Sequence, residues 1–488
     1  MSRYPVRHLF LALALAASGL GCEDNPTVVD ADYALTHVTV IDAAGTPPQS
    51  DMTVLIKGEQ IVALRKSDDL ELPDGLKTVD LQGKYLLPGL ADMHVHTQNM
   101  EQVFPLLHVV NGVTTLRHMD GEPFMLEWRR RIEEGRMLGP RMILGSTIID
   151  GTPSLWQNSP VAHISVRNEA EAREEVRRAK AQGYDFIKVY SRLSREAYFG
   201  IADEARLQQM PFAGHSPDLV TVAEASAAGQ ASLEHLYGVM YATSSEEEAL
   251  RERVGQISLR PETITGYNTW FQQTHAVEWD AARTYSPAKG MQLFNQFVKD
   301  ETAQVPTLTQ HNVLDRSMDL DMNDERLKYL PASMVAGWKW QLAEIYLQGR
   351  SEEESAQRRD LFNRRLALVG EMHRAGVRVM AGTDSTTPWV FPGFSLHDEL
   401  ALLVQAGLTP LQAIQAATLE PARYLGMQGS LGTVEQGKVA DLLVLDANPL
   451  EDIRNTTRIH SVVVRGRFIS AEERQALLSD LETLAGSM

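Results

Sequence analysis

The middle of the chain alternates between short apolar runs and helical stretches, and this alternation is the feature that most limits its possible folds. The apolar runs include "VTTLRHM", "RMILGS", "DFIKVY", "MPFAGHS", "ASLEHLYG", "QVPTLTQ" and "VRVMAGTDS". Helical patterns such as "EAEAREEVRRAKAQG", which ends at Gly183, separate them. Strands alternating with helices predict parallel βαβ units, and a further strand near Leu90 brings their number to eight. The pattern therefore predicts an α/β fold with a (β/α)8 TIM barrel over residues 88–431.

Two β-rich segments flank this region. Residues 31–87 and 432–475 are rich in β-branched residues and are broken by Gly, Pro and Asp, so both chain ends are predicted to build one small β-sandwich domain. Long helical insertions are expected near residues 243–299 and 312–365, at the face where barrel active sites lie. Their aromatic residues either line a substrate pocket or form the cores of small helical subdomains.

The N-terminus is typical of an exported protein. Residues 1–22 combine Arg3 and Arg7 with a short apolar run, which predicts a signal peptide, and residues 23–30 form a polar tether. Cys22 is the only cysteine, so no intramolecular disulfide can form. Its position resembles a bacterial lipoprotein cleavage site, and both lipid anchoring to a membrane through Cys22 and ordinary secretion remain open. The expected location is periplasmic or secreted.

The overall charge limits the class of partner. The formal net charge is −18, which argues against nucleic acid, because phosphate backbones are bound by basic surfaces. The expected partner is a small-molecule substrate, and the protein is expected to form a homo-oligomer.

Side chains that can bind metal fall at the ends of several predicted strands. The pair in "HVH" can point both imidazoles to one side of a strand, because alternate residues share a face. Such a pair alone is weak evidence for a metal site, and a single histidine at the end of a strand commonly has a structural role. The set at these ends is larger, however: His94, His96, Lys188, His215, His235 and Asp384. Their joint position at one end of a predicted barrel indicates a metal centre.

Lys188 cannot bind a metal ion in its charged form, because an ammonium group repels the ion. Burial and nearby cations lower the pKa of a lysine, and the neutral amine can then add carbon dioxide to form a carbamate. A carbamate is an anion with two oxygens, which can bridge two metal ions.

Together, "PGLADMHVH", the lysine in "DFIKVY", "GHS", "LEHL", "GTDS" and the C-terminal "GTVEQGKVADLLVLDANPLEDI" resemble the amidohydrolase superfamily. The lysine at the end of a strand is similar to that of the binuclear branch of this superfamily, which includes prolidase-like enzymes, Xaa-dipeptide carboxypeptidases and ochratoxin-hydrolysing amidases. The resemblance implies two divalent metal ions, expected to be zinc, with carbamylated Lys188 between them. It places His94, His96, Lys188 and Asp384 on one ion, and Lys188, His215 and His235 on the other.

The implied reaction is hydrolysis of an amide or peptide-like C–N bond, in a dipeptide or N-acyl amino acid, by a metal-bridging hydroxide. Asp384 is the predicted proton shuttle, and Tyr190 either holds the developing oxyanion or is a packed core tyrosine. His118, His311 and Tyr237 are further candidates for substrate contact. The alternatives are hydrolysis of a lactone or cyclic amide at the same centre, and a surface lipoprotein that binds metal without catalysis.

Overall fold

The computed structural model describes residues 29–259 and 266–488. The predicted signal peptide with Cys22, and most of the predicted tether, lie outside the described residues. The strands are β1 (Tyr33–Val40), β2 (Gln49–Lys57), β3 (Gln60–Lys66), β4 (Lys77–Asp80), β5 (Tyr85–Pro88), β6 (Leu90–Val95), β7 (Val113–His118), β8 (Arg141–Leu144), β9 (Ile148–Asp150), β10 (His163–Ser165), β11 (Ile187–Val189), β12 (Phe212–Gly214), β13 (Ser232–Glu234), β14 (Ala303–Val305), β15 (Leu442–Leu445), β16 (Ile459–Val464) and β17 (Arg467–Ile469).

The helices alternate with the central strands and extend past both insertions. They are α1 (Phe104–Val110), α2 (Pro123–Glu133), α3 (Glu169–Gln182), α4 (Arg195–Leu207), α5 (Val222–Ala227), α6 (Val239–Ala242), α7 (Glu247–Gly255), α8 (Gly266–Arg283), α9 (Pro287–Lys299), α10 (Leu308–Asp315), α11 (Ala332–Gln341), α12 (Glu352–Arg374), α13 (Ser395–Gln405), α14 (Pro410–Ala416), α15 (Leu419–Tyr424) and α16 (Ala471–Ser487). Helix α3 begins where the Asn168 side chain accepts a hydrogen bond from the backbone of Glu171, and it ends at Gly183 with φ +86°. This matches the end predicted from the sequence.

Strands from both chain ends pair into one sheet. The sheet has eight strands in the order β17-β16-β15-β5-β1-β2-β3, with β4 paired to β1. Strand β15 lies antiparallel to β5, so Val444 faces Leu86 across the junction between the two chain ends. The ends therefore meet in one sheet as expected, but a two-layered sandwich is not confirmed.

The central strands are parallel and buried. They form a three-stranded sheet, β6-β7-β8, and a six-stranded sheet, β10-β9-β11-β12-β13-β14. All six residues of β6 are buried, as is typical of a parallel strand covered on both faces. Single parallel bridges link the sheets at Gly145–Phe186, extend β14 at Gln304–Val379, and join β6 to Ser385. The strand pairing confirms an α/β fold with parallel sheets. Among the described residues it does not show these strands joined into one closed barrel sheet.

The two insertions have different environments. Trp270 and Phe271 of α8 join the main core beside the central strands. Trp338 of α11 instead belongs to a separate cluster with Trp389 and Phe391, which also contacts α16. The aromatic residues of the two insertions thus pack into different clusters. Within the described ranges, we find no helix with the length and apolar character needed to cross a bilayer.

Candidate metal centre

Three predicted ligands meet where β6 ends. The ligand atoms of His94, His96 and Asp384 all lie within 4.8 Å of one another. Asp384 Oδ1 is 3.3 Å from His94 Nε2 and 3.1 Å from His96 Nε2. Asp384 adopts a left-handed backbone conformation with φ +62°, and Thr387 Oγ1 donates a hydrogen bond to its Oδ2 at 3.0 Å. A local turn thus brings the carboxylate of a distant chain segment onto the two imidazoles.

The donor set fits a divalent metal ion. His94 Nε2 is buried and has no hydrogen-bond partner among the described residues, although buried polar atoms are normally satisfied. His96 Nδ1 faces Asp120 Oδ1 at 2.9 Å, which orients its Nε2 toward Asp384. Burial lowers the pKa of His96, but Asp120 and Asp384 outweigh burial and raise that pKa to about 10. Two imidazole nitrogens and a carboxylate oxygen are typical zinc ligands.

His215 and His235 lie directly beside this group. The His235 ring centroid is 4.4 Å from that of His94 and 5.0 Å from that of His215. His215 Nδ1 lies 2.7 Å from Ser191 Oγ, and His235 Nδ1 lies 2.7 Å from Thr307 Oγ1. Burial, with neighbouring cations, holds the pKa of both rings well below the usual value, so both are neutral and able to bind metal.

Lys188 lies on β11 and is fully buried, and its Nζ is 5.6 Å from the centroid of the Tyr190 ring. Its Nζ has no hydrogen-bond partner among the described residues. Burial lowers the pKa of Lys188 to about 8, against the opposing effect of Glu234 and Asp384. Gly214, the glycine of "GHS", has φ +135°, and an added Cβ would lie 2.2 Å from the Val189 carbonyl oxygen and 3.1 Å from Lys188 Cδ. A glycine at this position therefore lets β12 lie close to the backbone of β11 and to the Lys188 side chain.

Glu234 and Arg117, which the sequence did not indicate as site residues, form a buried ion pair that contacts the His94 ring. His94 Nδ1 lies 2.7 Å from Glu234 Oε2, and both side chains are fully buried. Arg117 Nη2 donates to both Glu234 oxygens at 2.9 and 3.0 Å. Burial raises the pKa of Glu234, but Arg117 and His94 outweigh burial and lower it to about 2. A carboxylate on the far nitrogen of a metal-binding histidine fixes the ring and increases its basicity. The signal in the sequence is the charged residue within each of two otherwise apolar strands, "TTLRHM" and "SLEHL".

Aromatic side chains line one side of the cluster. The Tyr190 ring stacks on His215 at 4.0 Å, and the Tyr237 ring lies 5.1 Å from His215 and 5.0 Å from His235. Tyr237 Oη is 3.1 Å from Tyr267 Oη, and Tyr267 stacks on Trp156 at 5.0 Å. Because Tyr267 belongs to α8, the first insertion contributes to this wall.

The remaining candidates differ in position. His311 Nε2 donates to the His235 carbonyl oxygen at 2.7 Å, so it supports the backbone of a predicted ligand. His118 follows the inward-pointing Arg117 and lines a small cavity with His108 and Trp128. Burial lowers the pKa of His118 to about 3, so the ring is neutral. The role of His118 as a substrate contact stays a prediction.

The amidohydrolase family matches residues 85–469, which covers most of the chain. The chain therefore belongs to the amidohydrolase family, and the prediction of an enzyme of this family is confirmed. Ochratoxinase of Aspergillus niger is 36% identical over 117 residues, which cover 23% of this chain and 23% of that protein. The match thus spans about a quarter of that relative.

Solved structures agree on the fold over nearly the whole chain. Bottromycin amidohydrolase superposes with a TM-score of 0.71 at 22% identity, covering 93% of this chain and 90% of that one. A Xaa-Pro dipeptidase with bound methionine gives a TM-score of 0.64 at 19% identity, covering 90% and 99%. At these identities the likeness concerns the fold.

Proposed function

We propose that the protein hydrolyses an amide or peptide-like C–N bond in a substrate of the dipeptide or N-acyl amino acid type. The observation that carries this proposal is the cluster of buried His94 and Asp384 with partly exposed His96, close to Lys188 and two further histidines. Family membership supports a hydrolytic reaction. The named activities of similar proteins, an ochratoxinase and a Xaa-Pro dipeptidase, support amide bonds as the target.

We further propose that the centre holds two divalent ions, expected to be zinc, with a carbamate on Lys188 between them. His94, His96 and Asp384 would hold one ion, and His215 and His235 the other. The unpartnered Nζ of Lys188 and its lowered pKa support carbamate formation, because the neutral amine is the reactive form. When bound, such ions supply an activated water near neutral pH and polarise the substrate carbonyl.

Asp384 is the proposed proton carrier. Burial raises the pKa of Asp384, but the surrounding histidines outweigh burial and hold the pKa well below its usual range. The carboxylate is therefore ionised at neutral pH and can accept a proton, which it then delivers to the leaving amine. Tyr190 is buried beside His215, and its hydroxyl is proposed to donate to the substrate oxygen as negative charge develops there.

The test is a hydrolysis screen of the purified, zinc-loaded protein with dipeptides, N-acyl amino acids and lactones. Release of amine from the first two classes, lost in Asp384→Asn and retained in the surface variant Asp480→Asn, supports the proposal. Cleavage of lactones alone would favour the alternative reaction at the same centre. Metal binding without hydrolysis of any of these substrates would favour the alternative of a surface lipoprotein that binds metal without catalysis.

Three further proposals concern the chain beyond the metal centre. We infer that the parallel strands close into an eight-stranded barrel, supported by the bridges at Gly145–Phe186, Gln304–Val379 and Val95–Ser385. We also propose export, with Cys22 as a lipid anchor or with simple secretion, and assembly into a homo-oligomer. Export and anchoring are supported by the N-terminal sequence.

A further inference from the structure

A second cavity lies between the two insertions, outside the metal cluster. It has a volume of about 240 Å³ and is lined by Phe271 of α8, Tyr346, and the charged residues Arg350, Glu354 and Arg358. Exposed Gln272 and Gln348 border it, so solvent reaches it. Its lining contains two guanidinium groups and one carboxylate.

Each guanidinium keeps one buried N–H without a partner. Arg358 is 5% exposed, and its Nε and Nη2 bind Glu354 Oε1 at 2.9 and 2.8 Å. Arg358 Nη1 has no hydrogen-bond partner among the described residues, and neither has Arg350 Nε. Arg350 uses Nη1 and Nη2 on the Leu314 carbonyl oxygen, both at 3.2 Å. Buried donors without partners are uncommon in folded proteins and point to a missing acceptor.

A row of contacting rings links the lining of this cavity to the aromatic side chains at the metal cluster. Tyr346 meets Phe271 edge to face at 6.2 Å, and Phe271 stacks on Tyr267 at 6.1 Å. Tyr267 in turn contacts Tyr237, which lies against His215 and His235. The two arginines therefore lie at the far end of this row of rings from the metal cluster.

We propose that Arg350 and Arg358 form a binding site for a carboxylate, with Phe271 and Tyr346 packing against the apolar group that bears it. Guanidinium groups bind planar carboxylates through paired, charge-assisted hydrogen bonds, and aromatic rings suit an apolar or aromatic neighbour. The carboxylate belongs either to an elongated substrate, at the end away from the scissile bond, or to a separate small acid. The substrate source depends on the proposed amide hydrolysis, and the binding site itself does not.

The experiment has a binding arm and a kinetic arm. Calorimetry measures benzoate and uncharged benzamide binding to wild type, Arg350→Gln, Arg358→Gln and the conservative variant Arg358→Lys. Arg359→Gln is the matched control, because Arg359 lies on the same helix, is half-buried and does not line the cavity. Kinetics compare N-(4-carboxybenzoyl)phenylalanine, whose ring carboxylate lies away from the scissile amide, with its 4-carbamoyl analogue.

We expect wild type to bind benzoate and not benzamide, with the affinity for benzoate falling by about tenfold or more in both Gln variants and partly recovered in Arg358→Lys. If the carboxylate belongs to the substrate, the same variants raise KM for the free acid, leave kcat and the carboxamide unchanged, and so abolish the preference for the acid. If it is a separate acid, only the calorimetric difference appears.

Benzoate binding equal in Arg358→Gln and Arg359→Gln, or absent from wild type, together with an unchanged acid-to-amide preference, would overturn the site. A wild type that hydrolyses neither compound would instead count against the proposed function, while the calorimetric arm would still decide the site.

Discussion

Replacing Glu234 by Gln is expected to weaken both the fold and the metal centre. The substitution keeps the shape of the side chain but removes the charge that pairs with Arg117 at 2.9 and 3.0 Å, between side chains 1% and 0% exposed. Breaking a buried pair by removing one partner costs about 3–5 kcal/mol, because the remaining charge is buried and uncompensated. His94 also loses its carboxylate, which lowers metal affinity by about 10–100-fold in comparable sites.

Two assays separate these effects. Urea unfolding of the metal-free protein, followed by circular dichroism, measures the loss of stability, and zinc titration against a chromophoric chelator measures affinity. The double variant Arg117→Met/Glu234→Gln is expected to regain much of the stability, since no lone buried charge remains, but not the zinc affinity. Arg130→Gln, which removes an exposed ion pair, is the control and is expected to change neither quantity. A Glu234→Gln protein with wild-type stability and zinc affinity would refute the reasoning.

Three further outcomes are expected. The contribution of Glu234 to stability is present above the ordinary pKa of 4.5 and is lost as pH falls toward the folded-state pKa of about 2, so unfolding midpoints of wild type should drop across this range while those of Glu234→Gln drop less. Lys188→Ala is expected to bind fewer zinc ions per chain by elemental analysis, and short carboxylates are expected to restore part of this binding. Full activity of this variant would contradict the proposed carbamate on Lys188. His118→Leu is expected to keep the wild-type KM and kcat, because His118 lines a cavity beside Trp128; a raised KM would restore it as a substrate contact.

The pattern of strands and helices predicted more about the site than any one motif did. Because the carboxyl ends of parallel strands meet at one edge, strand-end position alone was enough to propose that "HVH", "GHS", "LEH" and "GTDS" come together. In the structure His94, His96 and Asp384 meet, and His215 and His235 lie beside them. The extent of strand pairing was less predictable, because hydrogen-bond continuity between short strands depends on register and twist.

Other features depended on contacts between residues far apart in the chain. Which insertion would reach the site could not be predicted from the sequence, since both insertions carry aromatic residues at helical spacing. Packing decided it: Tyr267 of α8 contacts Tyr237, whereas Trp338 of α11 packs with Trp389 in a separate core. Arg117 and Glu234 likewise became a pair only because β7 and β13, which lie in different sheets, direct these two side chains into the same interior.

The sequence by itself determined the alternation of elements, the identity of the candidate metal ligands and the family. These follow from local periodicity and from residue type, which the chain carries wherever it folds. The tertiary structure decided which neighbours the candidate metal ligands have, with Glu234 on His94 and Gly214 beside Lys188. It also left guanidinium N–H groups of the second cavity without a partner among the described residues. Partners of this kind arise from packing across segments more than a hundred residues apart or from close approach of neighbouring strands, and neither is encoded in any short stretch of sequence.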